Sequence, residues 1–206
     1  MTVPVEKRRY TIAEYLAMEE KATDRHEFHD GEILPMSGGT YNHSCIVSNL
    51  NRFLGNRLEG KPCRPLDSNM RVRIPRSAIY VYPDTTIVCG GPQFDLDDPK
   101  KTTIANPRVV IEVLSDSTER YDRGEKFDLY REITSLEEYV LVSQHQPLVE
   151  TYLRQPEGAW LLNPIKGIQS SLSLRSLQIS IPLSEVYAGM EFDSVPTGQG
   201  FEGPRS

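Results

Sequence analysis

Seven consecutive residues, Arg108 to Leu114 (RVVIEVL), restrict the architecture of this 206-residue chain more than any other stretch. A continuous β-branched run of that length reads as a strand buried on both faces, so layers must cover it above and below. One residue breaks the run. Glu112 stands where only apolar side chains belong, and an ionised carboxylate there is costly unless a cation, hydrogen-bond donors or a metal compensates it. The same segment therefore demands a layered fold and a chemical explanation.

The flanking sequence supplies the layers. Thr11-Ile12-Ala13-Glu14 is a capping box that opens a helix running to about Lys21. Arg25 to Met36 predicts a hairpin turning at Asp30-Gly31. Ile46, Val47, Leu50, Phe53, Leu54 and Leu58 fall on one face of a helix that Gly60 closes. Met70, Val72 and Ile74 alternate with Arg71 and Arg73, the pattern of a half-buried strand with its charges on one face. Tyr80 to Cys89 reads as one further strand with Pro83 near its start, and Gly90 to Asn106 as a polar loop. Asp122 to Ile133 reads as a helix begun by a cap-like pair, Asp122 and Glu125. Glu138–Ser143, Val149–Arg154 and Trp160–Leu162 read as strands. The order predicts an α/β (α+β) domain over residues 1–193, a central mixed sheet flanked by helices, with a disordered tail over 194–206.

Composition excludes several classes. No apolar run reaches the roughly 18 residues of a membrane span, and no apolar segment follows the charged opening, so neither membrane insertion nor a secretory signal is expected. Three well-separated cysteines, Cys45, Cys63 and Cys89, match no metal-ligand spacing and read as free thiols of a cytoplasmic protein. The net charge of −6 argues against coating nucleic acid by bulk electrostatics. Between Arg52 and Arg76, however, seven basic residues (Arg52, Arg57, Lys61, Arg64, Arg71, Arg73, Arg76) meet only two acidic ones, a local charge of +5. Such a segment is either a phosphate-facing surface or a solvated face paired with acidic neighbours.

Asp84, in Tyr82-Pro83-Asp84, opens an apolar strand and comes beside Glu112 if the two strands pair. Two carboxylates on adjacent strands suit a hard divalent cation and leave positions for water and a phosphate. A turn aspartate and an arginine-bonded glutamate would look the same. The wider succession is more specific: His26-Glu27-Phe28-His29-Asp30-Gly31-Glu32, Gly38-Gly39-Thr40 with His43, then Tyr82-Pro83-Asp84. It continues with Glu112-Val113-Leu114-Ser115-Asp116-Ser117-Thr118, Tyr121-Asp122-Arg123, Lys126, Tyr130 and Glu138-Tyr139-Val140-Leu141-Val142. This succession resembles the Uma family of restriction-endonuclease-like proteins, within the PD-(D/E)XK nuclease superfamily, over roughly residues 10 to 190.

The resemblance implies a restriction endonuclease-like fold and metal-dependent hydrolysis of DNA phosphodiesters. Asp84 and Glu112 match the family's metal-binding acids, with Mg²⁺ or Mn²⁺ as the cofactor and the Val113 carbonyl as a further ligand. The chain departs from the superfamily pattern two residues after Glu112, where Leu114 replaces a lysine, and Lys126 on the following helix matches the substitute. Family position puts Glu32 near the metal, and His43 at a helix start is within reach of a phosphate or a water. Arg52, Arg57, Arg71 and Arg73 are the candidates for nucleic-acid contact. DNA is the expected substrate and a homodimer the expected assembly. The rival expectation, favoured by Leu114 and the acidic charge, is an inactive nuclease fold that binds nucleic acid or a protein partner.

Overall fold

The computed structural model describes residues 8–36, 38–75 and 78–192. The expected tail over 194–206 and Arg76 therefore lie outside the described residues. The chain runs α1 (Ile12–Glu19), β1 (His26–His29), β2 (Glu32–Pro35), α2 (Tyr41–Leu58), β3 (Cys63–Asp67), β4 (Arg71–Ile74), β5 (Ile79–Val81), β6 (Thr85–Cys89), β7 (Thr103–Ile104) and β8 (Val109–Leu114). It continues α3 (Glu119–Arg123), α4 (Glu125–Tyr130), β9 (Glu138–Ser143), β10 (Leu148–Arg154), β11 (Trp160–Lys166), β12 (Ser171–Leu174), β13 (Ile179–Pro182) and α5 (Leu183–Val186). The fold is mixed α+β. A six-stranded sheet in the order β11-β10-β9-β8-β6-β3 carries the centre, with β8 and β9 parallel and the other pairings antiparallel.

The run around Glu112 is the fully buried strand β8 in the middle of this sheet. Its residues alternate between two cores, as the two-residue period of a strand requires. Val109, Ile111 and Val113 pack with Ile46, Leu50 and Leu54 of α2. Val110 and Leu114 pack on the opposite face with Ile74, Tyr130 and Ile133. Glu112 shares that second face by alternation, so it looks toward α4 and the second sheet. That sheet has the order β2-β1-β5-β4-β7.

Local signals hold where they are complete within a few residues. Thr11 caps α1 and Glu14 returns the bond to the Thr11 N–H. Asp30 and Gly31 both adopt positive φ at the hairpin turn, 44° and 95°, which a two-residue loop of this kind requires.

Three expectations are corrected. Tyr80–Cys89 is not one strand: Pro83 and Asp84 separate β5 from β6, which lie in different sheets. The helix over 122–133 is two short ones, α3 and α4, divided at Gly124 (φ −116°, ψ −98°). Cys63 and Cys89 are not free thiols: they face each other across β3 and β6 and form a disulfide. The step from cysteine count to a reducing compartment accordingly loses its basis. Among the described residues no helix is long and apolar enough to cross a membrane.

Candidate active site

Asp84 is placed by the register of β6 on β8. Thr85 pairs with Ile111, so the position before it stands across from Glu112. The two acids are also stitched through the backbone: the Val113 N–H donates to Asp84 Oδ2 at 2.7 Å, and the Asp84 N–H to Glu112 Oε2 at 3.4 Å. Both carboxylates line a cavity of about 180 Å³ together with Glu27, His43, Asp122 and Lys126.

Lys126 arrives from α4. Its ammonium is 2.9 Å from Glu112 Oε1 and 3.5 Å from both Glu27 Oε1 and Asp122 Oδ1, with the side chain only 8% exposed. Tyr130, one helical turn further on, donates to the same Glu112 oxygen at 2.8 Å. Leu114, at the usual lysine position, is buried in the second core and offers no cation. His43 Nε2 lies 3.2 Å from Asp84 Oδ2. The start of α2 holds it there, because Thr40 accepts the His43 N–H as N-cap. A Cβ at Gly39 would meet His43 Nδ1 at 2.8 Å, so this ring position needs glycine there.

Four carboxylates thus share the cavity with Lys126 and His43. Burial, together with Asp122 and Asp84, pushes the Glu112 carboxyl up to about 8 against the pull of Lys126. Burial also raises Asp122, although Lys126 and a Thr118 hydrogen bond draw it down. Lys126 is buried, yet Glu112 and the neighbouring Tyr130, Glu27 and Asp122 hold its proton well above the ordinary lysine range. Glu27 is buried too, but Lys126 and His29 bring it below the carboxylate range. His43 is raised by its hydrogen bond to Asp84. The elevated Glu112 and the retained Lys126 proton describe one shortage: positive charge is short at this point, and one more cation would return Glu112 to its ionised form.

A hard divalent ion fits that shortage. Among the described residues no group of three or more His, Cys, Asp and Glu side chains could hold a metal. The protein would supply the Asp84 and Glu112 carboxylates and the Val113 carbonyl, leaving the remaining positions for water and substrate oxygens.

The other expected residues are placed differently. Glu32 pairs with His29 at the turn end of the hairpin and does not line the cavity, whereas Glu27, on the same face two residues earlier in β1, does. Asp122 is not a cap but faces Lys126 across the Gly124 break. The arginines share no surface. Arg52 lies exposed on α2 over the Phe53 ring. Arg57 pairs with Glu185. Arg71, on the second sheet, is buried against Asp98, Thr102 and Thr103. Arg73 lies over the Tyr80 ring at 4.6 Å. Because α2 and β4 cover opposite faces of the central sheet, Arg52 and Arg57 do not share one phosphate-facing patch with Arg71 and Arg73.

A mixed sheet with one acid just before a strand, a second within the adjacent strand and a lysine on the second helix after it is the arrangement of a restriction-endonuclease-like fold. The chain belongs to the Uma2 family, described as "Putative restriction endonuclease", which it matches over residues 12–184. Two Synechocystis proteins, both described as uncharacterised, are similar. One, slr1290, is 38% identical over 182 residues, 87% of this chain and 92% of its own length. The other, sll1609, is 36% identical over 169 residues, 82% and 94%. A crystal structure from Anabaena variabilis, described as "a putative nuclease belonging to DUF820", superposes with a TM-score of 0.70. It covers 86% of this chain and 97% of its own at 13% identity, a likeness of fold.

Proposed function

We propose that the protein is a divalent-metal-dependent endonuclease that hydrolyses DNA phosphodiester bonds, with Mg²⁺ or Mn²⁺ at Asp84 and Glu112. The observation that carries this reading is Lys126, whose buried ammonium lies 2.9 Å from Glu112 where Leu114 supplies nothing. When bound, the ion supplies Lewis-acid stabilisation of the charge that develops on the phosphate oxygens. The chain's own groups do the rest. Lys126 keeps its proton, so it acts as a donor that orients the attacking water and stabilises negative charge, not as a base. Tyr130 and the Val113 N–H position Glu112 and Asp84, while Glu27 and Asp122 position Lys126. His43, whose Nε2 lies 3.2 Å from Asp84 Oδ2 at the cavity wall, positions that carboxylate. Two copies acting on opposite strands are the simplest route to a double-strand cut.

Supercoiled plasmid with Mn²⁺ tests the reading. Wild type should nick and linearise it, and Glu112→Gln should not. If wild type nicks nothing across Mg²⁺, Mn²⁺ and several DNA substrates, the fold serves binding alone.

A further inference from the structure

Beyond Tyr82 lies a second and larger cavity of about 540 Å³, bounded by α1, Asn69, Arg71 and the loop 97–102. The proposed chemistry makes no use of it. α1 gives it an apolar wall of Ala13, Leu16 and Ala17. Arg71, with a side chain only 6% exposed, lines it, and the Arg71 Nη1 finds no hydrogen-bond partner among the described residues. Glu20 and Asp97 add exposed carboxylates.

Charge decides what class of ligand this lining accepts. Four carboxylates (Glu19, Glu20, Asp97, Asp98) against Arg71 and Lys100 repel an anion. A cation finds most of those carboxylates already engaged: Glu19 accepts from Tyr82 and His26, Glu20 pairs with Lys100, and Asp98 with Arg71. What remains complementary is a neutral molecule with apolar faces for the α1 wall and a donor for the exposed Asp97 carboxylate.

We propose that this cavity receives an amino-bearing nucleobase, adenine, guanine or cytosine, turned out of the strand whose backbone lies at Asp84 and Glu112. The strand in this proposal rests on the nuclease reading; the base site does not. Tyr82 joins the two cavities. It lines both, its hydroxyl donates to Glu19 at 3.0 Å, and it shares the smaller cavity with Glu27. Glu27 in turn stands 3.5 Å from the Lys126 ammonium. A base in the larger cavity would therefore touch a residue that also walls the cavity around Lys126. An extruded base needs such a receiving pocket, because unstacking is costly until the base finds new partners.

Titration calorimetry of the full chain with deoxyadenosine, deoxycytidine and thymidine tests the site without cleavage. Deoxyadenosine and deoxycytidine should bind saturably and thymidine at least fivefold more weakly, because thymine has no amino group for Asp97. Ala17→Trp, which fills the cavity from an exposed helix position, should weaken binding at least tenfold, while Glu112→Gln leaves it unchanged. No saturable binding by wild type, or equal binding by a folded Ala17→Trp, overturns the proposal. If Ala17→Trp fails to fold, Asp97→Asn should erase the preference over thymidine, and a retained preference overturns it. The plasmid assay reports separately. Nucleoside binding without nicking supports the base site and removes the nuclease reading, and nicking without nucleoside binding does the reverse.

Discussion

Lys126 faces three carboxylates with a single charge, and its removal should be felt in two ways. Lys126→Ala should lower plasmid cleavage at least 100-fold, since its donor acts mainly in the transition state. Mn²⁺ affinity should hold or tighten, because Glu112 loses a competing cation at 2.9 Å. A calorimetric titration showing weaker Mn²⁺ binding would contradict this assignment. Lys126→Arg should rescue poorly, because a planar guanidinium is not a compact point charge. Asp98 makes a different prediction, about stability. Burial pushes its carboxyl up, but hydrogen bonds from Thr102, Thr103 and the Lys100 N–H, with the charge of Arg71, outweigh burial and hold it below the ordinary aspartate range. A folded-state value below the unfolded one contributes stability that is whole above the unfolded pKa and lost as pH falls through the folded value. Asp98→Asn should therefore cost about 3–5 kcal/mol at neutral pH, the penalty of leaving Arg71 buried without its partner. It should also flatten the acid limb of the stability curve in denaturant titrations. Reversing Arg71 to Glu should unfold the chain for the same reason, not change its salt response.

The elements visible from the residues alone are those whose causes lie within a few positions. The capping box of α1, the Asp30-Gly31 turn and the β-branched run of β8 are of this kind, and Glu112 stood out because it violates the run around it. What was not legible depends on register or on distant partners. Pro83 and Asp84 look the same at a strand start as at a crossing between sheets, so β5 and β6 read as one strand. Glu27 and Glu32 share a hairpin face, and only the packing of α4 selects Glu27. The burial of Arg71 is decided by Asp98, 27 residues later in a loop. Cys63 and Cys89, 26 residues apart, meet only because β3 pairs with β6. That pairing carries a prediction of its own. Closing a loop of that length contributes about 3 kcal/mol in the chain-entropy account. Dithiothreitol, or Cys63→Ser with Cys89→Ser, should then lower Tm by roughly 6–12 °C for a chain of this size. An unchanged Tm with fully titratable thiols before reduction would mean the bridge does not form.

Charge over the full chain shapes how DNA can be held. With a net charge of −6 and four carboxylates in the candidate-site cavity, the protein without a metal repels phosphate at the place where the proposed function puts it. The arginines expected to offset this are split between opposite faces of the central sheet, and Arg57 and Arg71 already pair with Glu185 and Asp98. Affinity that rests on many surface cations falls steeply with salt, because each neutralised phosphate releases a counterion. Here the attraction must come mainly from the metal, so DNA binding should be conditional on it. Fluorescence anisotropy with a short labelled duplex should show weak binding in EDTA. Binding should be at least tenfold tighter in Ca²⁺, which occupies oxygen sites without supporting turnover in the proposed mechanism. Asp84→Asn should abolish most of that gain while leaving the EDTA value unchanged or slightly tighter, since one repelling charge is gone, and the salt slope should be shallow throughout. Equal affinity with and without the cation would place the DNA elsewhere on the surface and detach Asp84 and Glu112 from its recognition.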